Sequence, residues 1–174
     1  MSESASELPS EFLVSCADVL PERGLALDVA AGRGRNARWL ARRGLRTTAI
    51  DRDSEALDSL REAGIAVVVA DLEVPDATLP RDAFDVIVVC RYLWRPLFPA
   101  IRAALRSGGL LVYETFTIEQ PRFGKPVNPH FLLSRNELLH RFLDWHVLRY
   151  FEGIVDGRAA VAALAARKPS QLPG

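Results

Sequence analysis

Residues Leu25–Asp51, LALDVAAGRGRNARWLARRGLRTTAID, constrain the fold more than any other stretch. An apolar run from Leu25 to Val29 is interrupted by one carboxylate, Asp28, and leads into a turn of small residues, Ala30-Ala31-Gly32-Arg33-Gly34. A helical stretch through Arg43, a break at Gly44, a second apolar run and a second carboxylate, Asp51, complete the segment. The order reads strand, glycine turn, helix, strand. It is the front half of a doubly wound nucleotide-binding sheet, in which ligands sit beyond the carboxyl ends of the strands. Gly32 and Gly34 permit a sharp turn and a close backbone approach that a Cβ would obstruct.

The remaining chain continues this alternation. Pro9–Leu20 has near-helical apolar spacing and precedes the first strand. Helices are expected over about 34–43 and 54–63, with strands at Arg46–Ile50 and Ile65–Ala70. The latter strand is almost wholly apolar, as if covered on both faces, and Asp71 follows it. Phe84–Cys90 is a fourth strand, Tyr92–Arg106 a helix with Pro96 and Pro99 in its early part, and Ser107-Gly108-Gly109 a turn into strand Leu110–Thr115. Ser134 to Glu137 matches a capping box opening a helix to about Leu143. Trp145–Gly153 and Arg158–Arg167 flank Asp156-Gly157 and read as an antiparallel hairpin.

A chain of 174 residues favours one domain, here 1–174, with residues 1–7 and 169–174 as tails. Segment 117–133, TIEQPRFGKPVNPHFLL, has three prolines and no period. Loops of this length inside a domain are usually functional, so it is expected to cover a substrate. Basic and acidic residues balance at 22 each, which argues against broad electrostatic binding to nucleic acid. Cys16 and Cys90 match no metal spacing. The start, MSESASELPSEF, lacks the segments of a secretion signal, and no apolar run approaches the ~20 residues of a membrane helix. A cytoplasmic protein without metal is expected.

Gly32-Arg-Gly34-Arg-Asn-Ala37 matches the dinucleotide fingerprint in its alanine-ended form, with Asp51 near the distance of a ribose contact. Asp28 departs from that pattern, because a pyrophosphate has no use for a negative charge there. Burying a carboxylate without a partner is costly. A cationic or hydrogen-bond-donating ligand would account for it, and so would capping of the turn's own N–H groups.

Asp28-Val-Ala30-Ala-Gly32-Arg-Gly34, with Asp51 and Asp71 at the next two strand tips, resembles the class I S-adenosylmethionine-dependent methyltransferases. The resemblance runs from residue 10 to residue 168 and includes the terminal hairpin. It implies an α/β fold, a single-domain Rossmann-like seven-stranded sheet of order 3-2-1-4-5-7-6. Strand 7 is then antiparallel to its neighbours, or strands 6 and 7 form a hairpin at the edge. S-adenosyl-L-methionine is the implied cofactor. Asp28 is expected at its amino acid end, the Gly32–Gly34 backbone beside it, Asp51 at the ribose, and Asp71 with Leu72 at the adenine; Asn36, Arg52 and Cys90 are further cofactor-binding candidates. Ala30 stands where the family has its first glycine, on the condition that the backbone there avoids positive φ.

After strand four the chain reads Cys90-Arg-Tyr-Leu-Trp-Arg95 and lacks the Asn/Asp-Pro-Pro-aromatic sequence of many amide and nucleic-acid N-methyltransferases. Residues 91–116 resemble instead the small-molecule branch, including the tellurite-resistance-like methyltransferases. Arg91 and Arg95, placed against the dipole at a helix start, point to an anionic substrate or to a structural carboxylate partner. Phe116 and Phe123 join them as candidate substrate contacts. His130, Glu114 and Tyr92 are candidate catalytic groups, and Glu119, Gln120 and Asn128 share the long loop. A nicotinamide-dependent oxidoreductase and a non-catalytic cofactor-binding module are the competing readings.

Overall fold

The computed structural model describes residues 8–170, so the tail expected over 1–7 and the end of that expected over 169–174 fall outside the described residues. Strands β1 (Leu25–Val29), β2 (Arg46–Asp51), β3 (Ala66–Val69), β4 (Phe84–Cys90), β5 (Leu105–Phe116), β6 (His146–Val155) and β7 (Ala159–Arg167) form one sheet. Its order is β3-β2-β1-β4-β5-β7-β6. The first five strands pair in parallel, and β7 is antiparallel to both β5 and β6. The expected topology is therefore the observed one. Because β1 leads outward to β2 and β3 before the chain returns to β4, the switch point lies between β1 and β4.

The central strands read as unbroken apolar runs because both sheet faces are covered. Leu27, Val29, Ile87, Val89, Leu111 and Tyr113 point to one face, under helix α4 (Phe98–Ala104) and helix α5 (Glu137–Arg141). Ala26, Val86, Val88, Leu110 and Val112 point to the other, where they meet Leu13 of α1 (Glu11–Ser15) and Leu40 of α2 (Arg35–Arg42). Ala37 of α2 also packs with Ala49, Leu57 and Leu60, the last two on α3 (Ser54–Glu62). No helix of the described residues is long and apolar enough to cross a membrane.

The departures from expectation have local causes. β3 is not covered on both faces: it is the edge strand, and Val68 and Val69 stay 45% and 48% exposed. The helix expected over 92–106 begins later. Pro96 and Pro99 each lack an N–H, so a 3₁₀ turn, Arg95–Leu97, precedes α4. The turn expected at Ser107-Gly108-Gly109 lies inside β5, where the pairing with β4 shifts register between Phe84 and Val86. The first helix is only α1, capped by Ser10, whose hydroxyl accepts the Leu13 N–H. Ser134 makes half of its capping box: its N–H donates to Glu137, but the helix starts after Asn136, which has φ +58. Asp156 and Gly157, both at positive φ, form the hairpin turn that an Asp-Gly pair favours.

Gly34 joins the β1 turn to α2 at φ +73, and a Cβ there would lie 2.3 Å and 2.4 Å from the Leu60 methyls. Replacement by alanine therefore meets backbone strain and overpacking together. Gly34→Ala should destabilise the fold by about 2–4 kcal/mol, read as a lower urea midpoint at unchanged slope. An unchanged midpoint would remove Gly34 from the packing of α2 on α3.

Candidate functional site

The β1–α2 turn is held by two carboxylates. Asp28 Oδ2 accepts the Ala37 N–H at 2.9 Å from beneath. Asp51, at the end of β2, accepts the Gly32 N–H at 2.7 Å through one oxygen and the Asp53 N–H at 3.0 Å through the other. Ala31 N donates to Ile50 O and Gly34 N to Ala31 O, closing the turn tightly against β2. Ala30 sits at φ +53, so the expectation that its backbone avoids positive φ is wrong. The turn keeps the left-handed conformation that a glycine would adopt freely, at a cost of about 1–2 kcal/mol for an L-residue. A Cβ on Gly32 would meet nothing within 4 Å, so this part of the turn faces open space.

Asp28 does not face that space. It is 1% exposed, and one of its oxygens is engaged by the first turn of α2. Burial pushes its carboxyl up to about 7, against the opposing pull of the Ala37 N–H and the Arg35 charge. The N–H partner that the structure shows for it is Ala37, in the first turn of α2.

Over the switch point lies a cavity of about 210 Å³ lined by Ala30, Asp51, Asp71, Leu72, Glu73 and Tyr92. Arg52 adds a cation at its edge, 3.7 Å from Glu73. Asp71 accepts the Glu73 N–H, fixing the loop after β3. Tyr92 is held by its backbone: the buried Tyr113 hydroxyl donates to its carbonyl at 2.9 Å. Among the described residues its own hydroxyl is buried without a partner, and burial, with Glu73 and Asp71 nearby, pushes that hydroxyl well above the usual phenol range.

Tyr92 and Glu73 also line a second cavity, of about 460 Å³, with Arg91, Phe116, Lys125 and Phe131. Its outer wall is the 117–133 loop, which is tied down at several points. Ile118 and Leu133 pair backbone to backbone, and Gln120, 3% exposed, bridges the Lys125 carbonyl and the Ala160 N–H. Arg95 holds the far end. Its guanidinium forms a two-pronged pair with Glu137 at 2.8 Å and donates to the carbonyls of His130 and Leu132. Burial alone would raise the Glu137 carboxyl, but Arg95 and the Ser134 N–H outweigh it and hold the group at about 2.

Several predicted residues therefore lie elsewhere. Arg95 is committed to Glu137 and the loop, the structural partnership rather than the substrate contact. His130 is exposed and lines neither cavity, with its N–H on Asn128. Phe123 lines neither cavity and lies under Arg122. Glu114, Cys90 and Asn36 form a polar cluster behind the glycine turn. Ser10 donates its hydroxyl to Glu114 at 3.0 Å and its N–H to Asn36, while Cys90 lies between Glu114 and Arg35. Burial, then Glu114, pushes the Cys90 thiol up to about 11, so it stays protonated near neutral pH. Gly34 is buried against Leu60. Among the described residues no group of His, Cys, Asp and Glu side chains has the arrangement to hold a metal ion.

Glu73, Lys125 and Phe131 were missed. Glu73 stands two residues beyond Asp71, the alternation that puts a second acid on the same side of an extended segment. Lys125 is one of two lysines in a chain whose other basic residues are all arginine. Phe131 carries no sequence signal.

The buried Asp28 makes a test of the turn. Its folded carboxyl binds a proton more tightly than the ordinary 3.8, so the associated stability is complete below about pH 4 and is lost as pH rises through about 7. Asp28→Asn keeps an acceptor for the Ala37 N–H and removes the charge. It should be near neutral at pH 4 and more stable than the native chain at pH 8, by up to about 4 kcal/mol at 1.36 kcal/mol per pKa unit. Urea titrations at the two pH values measure this; an equal effect at both would disprove the charged burial.

A methyltransferase domain family model matches residues 26–109. No curated protein matches the chain. Among solved structures, TehB from Haemophilus influenzae is similar with a TM-score of 0.73 at 20% identity, over 92% of this chain and 62% of TehB. The chain thus spans less than two thirds of that protein. An S-adenosylmethionine-dependent methyltransferase from Mesorhizobium loti gives 0.70 at 19% identity, over 92% of this chain and 99% of the other. One from Methanosarcina mazei gives 0.70 at 16%, over 94% and 100%. Identities this low speak to the fold. The β1–β4 core thus matches a methyltransferase domain family, and the strand order of the whole sheet is the fold shared with these S-adenosylmethionine-dependent methyltransferase structures.

Proposed function

We propose that the chain transfers a methyl group from S-adenosyl-L-methionine to a small, anionic molecule. The observation that carries this reading is the pair of adjoining cavities at the switch point, which share Tyr92 and Glu73. The first suits a nucleoside. Asp51 uses two of its roughly four lone-pair sites on backbone N–H groups, so it retains acceptors for a ribose diol. Asp71 and the Leu72 backbone would meet the adenine. At about 210 Å³ the cavity is smaller than the ~300–1,000 Å³ that encloses a drug-sized ligand. The amino acid end would therefore lie outside it, over the open Gly32 side of the turn. Asp51, Asp71 and Glu73 against Arg52 alone make the lining acidic, which disfavours the diphosphate of a nicotinamide cofactor.

The bound cofactor supplies a methyl group already activated on a sulfonium. The chain's part is to hold acceptor and donor in line and to exclude water, and positioning of this kind accounts for about 7–11 kcal/mol in well-oriented reactions. Tyr92, fixed through its carbonyl, forms the partition along which the two meet. Cys16 is buried and Cys90 stays a thiol without a disulfide partner, which supports a reducing, cytoplasmic setting.

S-adenosylhomocysteine at 100 times its dissociation constant should stabilise the native state by about 2.7 kcal/mol, a rise of roughly 5–11 °C in melting temperature for a domain of this size. NADH and NADPH should give no rise. The opposite pattern would refute the assignment. Asp51→Asn should weaken S-adenosylhomocysteine binding by about 1–3 kcal/mol in calorimetry, and an unchanged affinity would take Asp51 out of the site.

A further inference from the structure

The lining of the 460 Å³ cavity is chemically divided. Leu93, Phe116 and Phe131 give it apolar walls. Arg91 and Lys125 are both exposed, so they stand at its opening, and among the described residues neither side chain forms a salt bridge. Glu73 is the one carboxylate in the lining, and it stands on the side shared with the donor cavity. Arg91 also holds a left-handed backbone, φ +55, with its N–H on the Glu114 carbonyl at 2.8 Å. Strain of this kind collects where a side chain has to be aimed.

Two cations at the opening favour an anionic group there, through charge-assisted hydrogen bonds. A carboxylate on the inner wall disfavours a second anion and favours a neutral O–H or S–H that can donate to it. The apolar walls between them favour a flat or compact hydrocarbon body. We propose that this cavity is the acceptor site and takes an aromatic or similarly apolar monoacid, its anionic end between Arg91 and Lys125 and its hydroxyl or thiol against Glu73. The proposal rests on the methyl-transfer reading and narrows it to one substrate class. On transfer, the acceptor oxygen or sulfur forms a bond to the methyl carbon. The methyl–sulfur bond breaks with its electron pair left on the sulfur, and the acceptor's proton passes to Glu73.

Four probes of one size separate the terms. 4-Hydroxybenzoate, 4-hydroxybenzamide and tyramine share a phenol and differ in the charge of the tail, while terephthalate carries a carboxylate at both ends. Binding to the full chain is measured by calorimetry, without cofactor and again with S-adenosylhomocysteine. 4-Hydroxybenzoate should bind at least about fivefold more tightly than the amide or the amine. Arg91→Gln and Lys125→Gln, both at exposed positions, should each weaken it by about three- to fivefold, the range of an exposed charge pair, and leave the amide unchanged. Terephthalate should bind more weakly than 4-hydroxybenzoate to the native chain and gain on Glu73→Gln.

Equal binding of the three phenols, no binding of 4-hydroxybenzoate at millimolar concentration, or indifference to both cation substitutions would overturn the anionic-acceptor site. Terephthalate binding as tightly as 4-hydroxybenzoate to the native chain would overturn the role of Glu73. The melting shift with S-adenosylhomocysteine is read separately in every variant. Loss of that shift with the charge pattern intact would count against methyl transfer and leave the anion site standing.

Discussion

The N–H groups that open α2 have no partners within the helix, and the turn before it adds more. Two carboxylates from neighbouring strands meet that demand: Asp28 reaches Ala37 from inside the sheet, and Asp51 reaches Gly32 from its edge. Everything at the rim follows from this clamp. It fixes the turn against β2, forces Ala30 into the left-handed region and leaves the Gly32 side open. Asp51 then has two duties, since the oxygens that hold the turn are those that line the cavity. A carboxylate already locked by two N–H donors offers its remaining acceptors in a fixed direction, which is the condition for a preorganised contact.

The fold was legible because its signals are local or periodic. Continuous apolar runs marked the covered strands, glycine and acid marked their ends, and Asp156-Gly157 marked the hairpin. The failures share one cause: sequence places a side chain along a strand but does not say what it turns toward. Asp28 sits at a strand end in the expected place, and one of its oxygens turns to the first turn of α2. Arg95 disfavours a helix start as expected, and its partner is Glu137, 42 residues away. Val68 and Val69 look like interior residues because composition cannot report that their strand is the last in the sheet.

The second cavity was less legible still. Its outer wall comes from a loop without periodicity, positioned by buried polar groups rather than by an apolar face. Gln120 reads as an ordinary loop amide in the sequence. In the fold it spends its oxygen on Ala160 and its nitrogen on Lys125, and so sets where Lys125 stands. Arg95 does the same for residues 130–132, which places Phe131 in the cavity and leaves His130 outside it. Anchors of this kind carry no pattern, because each depends on a carbonyl whose position only the complete fold defines.

Ala30 and Arg91 are each one residue past the end of a central strand, β1 and β4, and those strands are hydrogen-bonded neighbours. Both adopt positive φ without being glycine. The two strained residues turn their chains apart at the switch point, which opens the crevice there instead of letting one loop close over it. Arg91 is held by Glu114 O and Tyr92 by the Tyr113 hydroxyl, so the segment between the cavities is pinned from β5 on both sides. Its position is thus set by backbone rather than by a free side chain. The proposed transfer would tolerate little error in the separation of donor and acceptor. A partition fixed in this way would hold that separation through the sheet itself, with the strain at the two strand ends as the local cost of the fixed geometry.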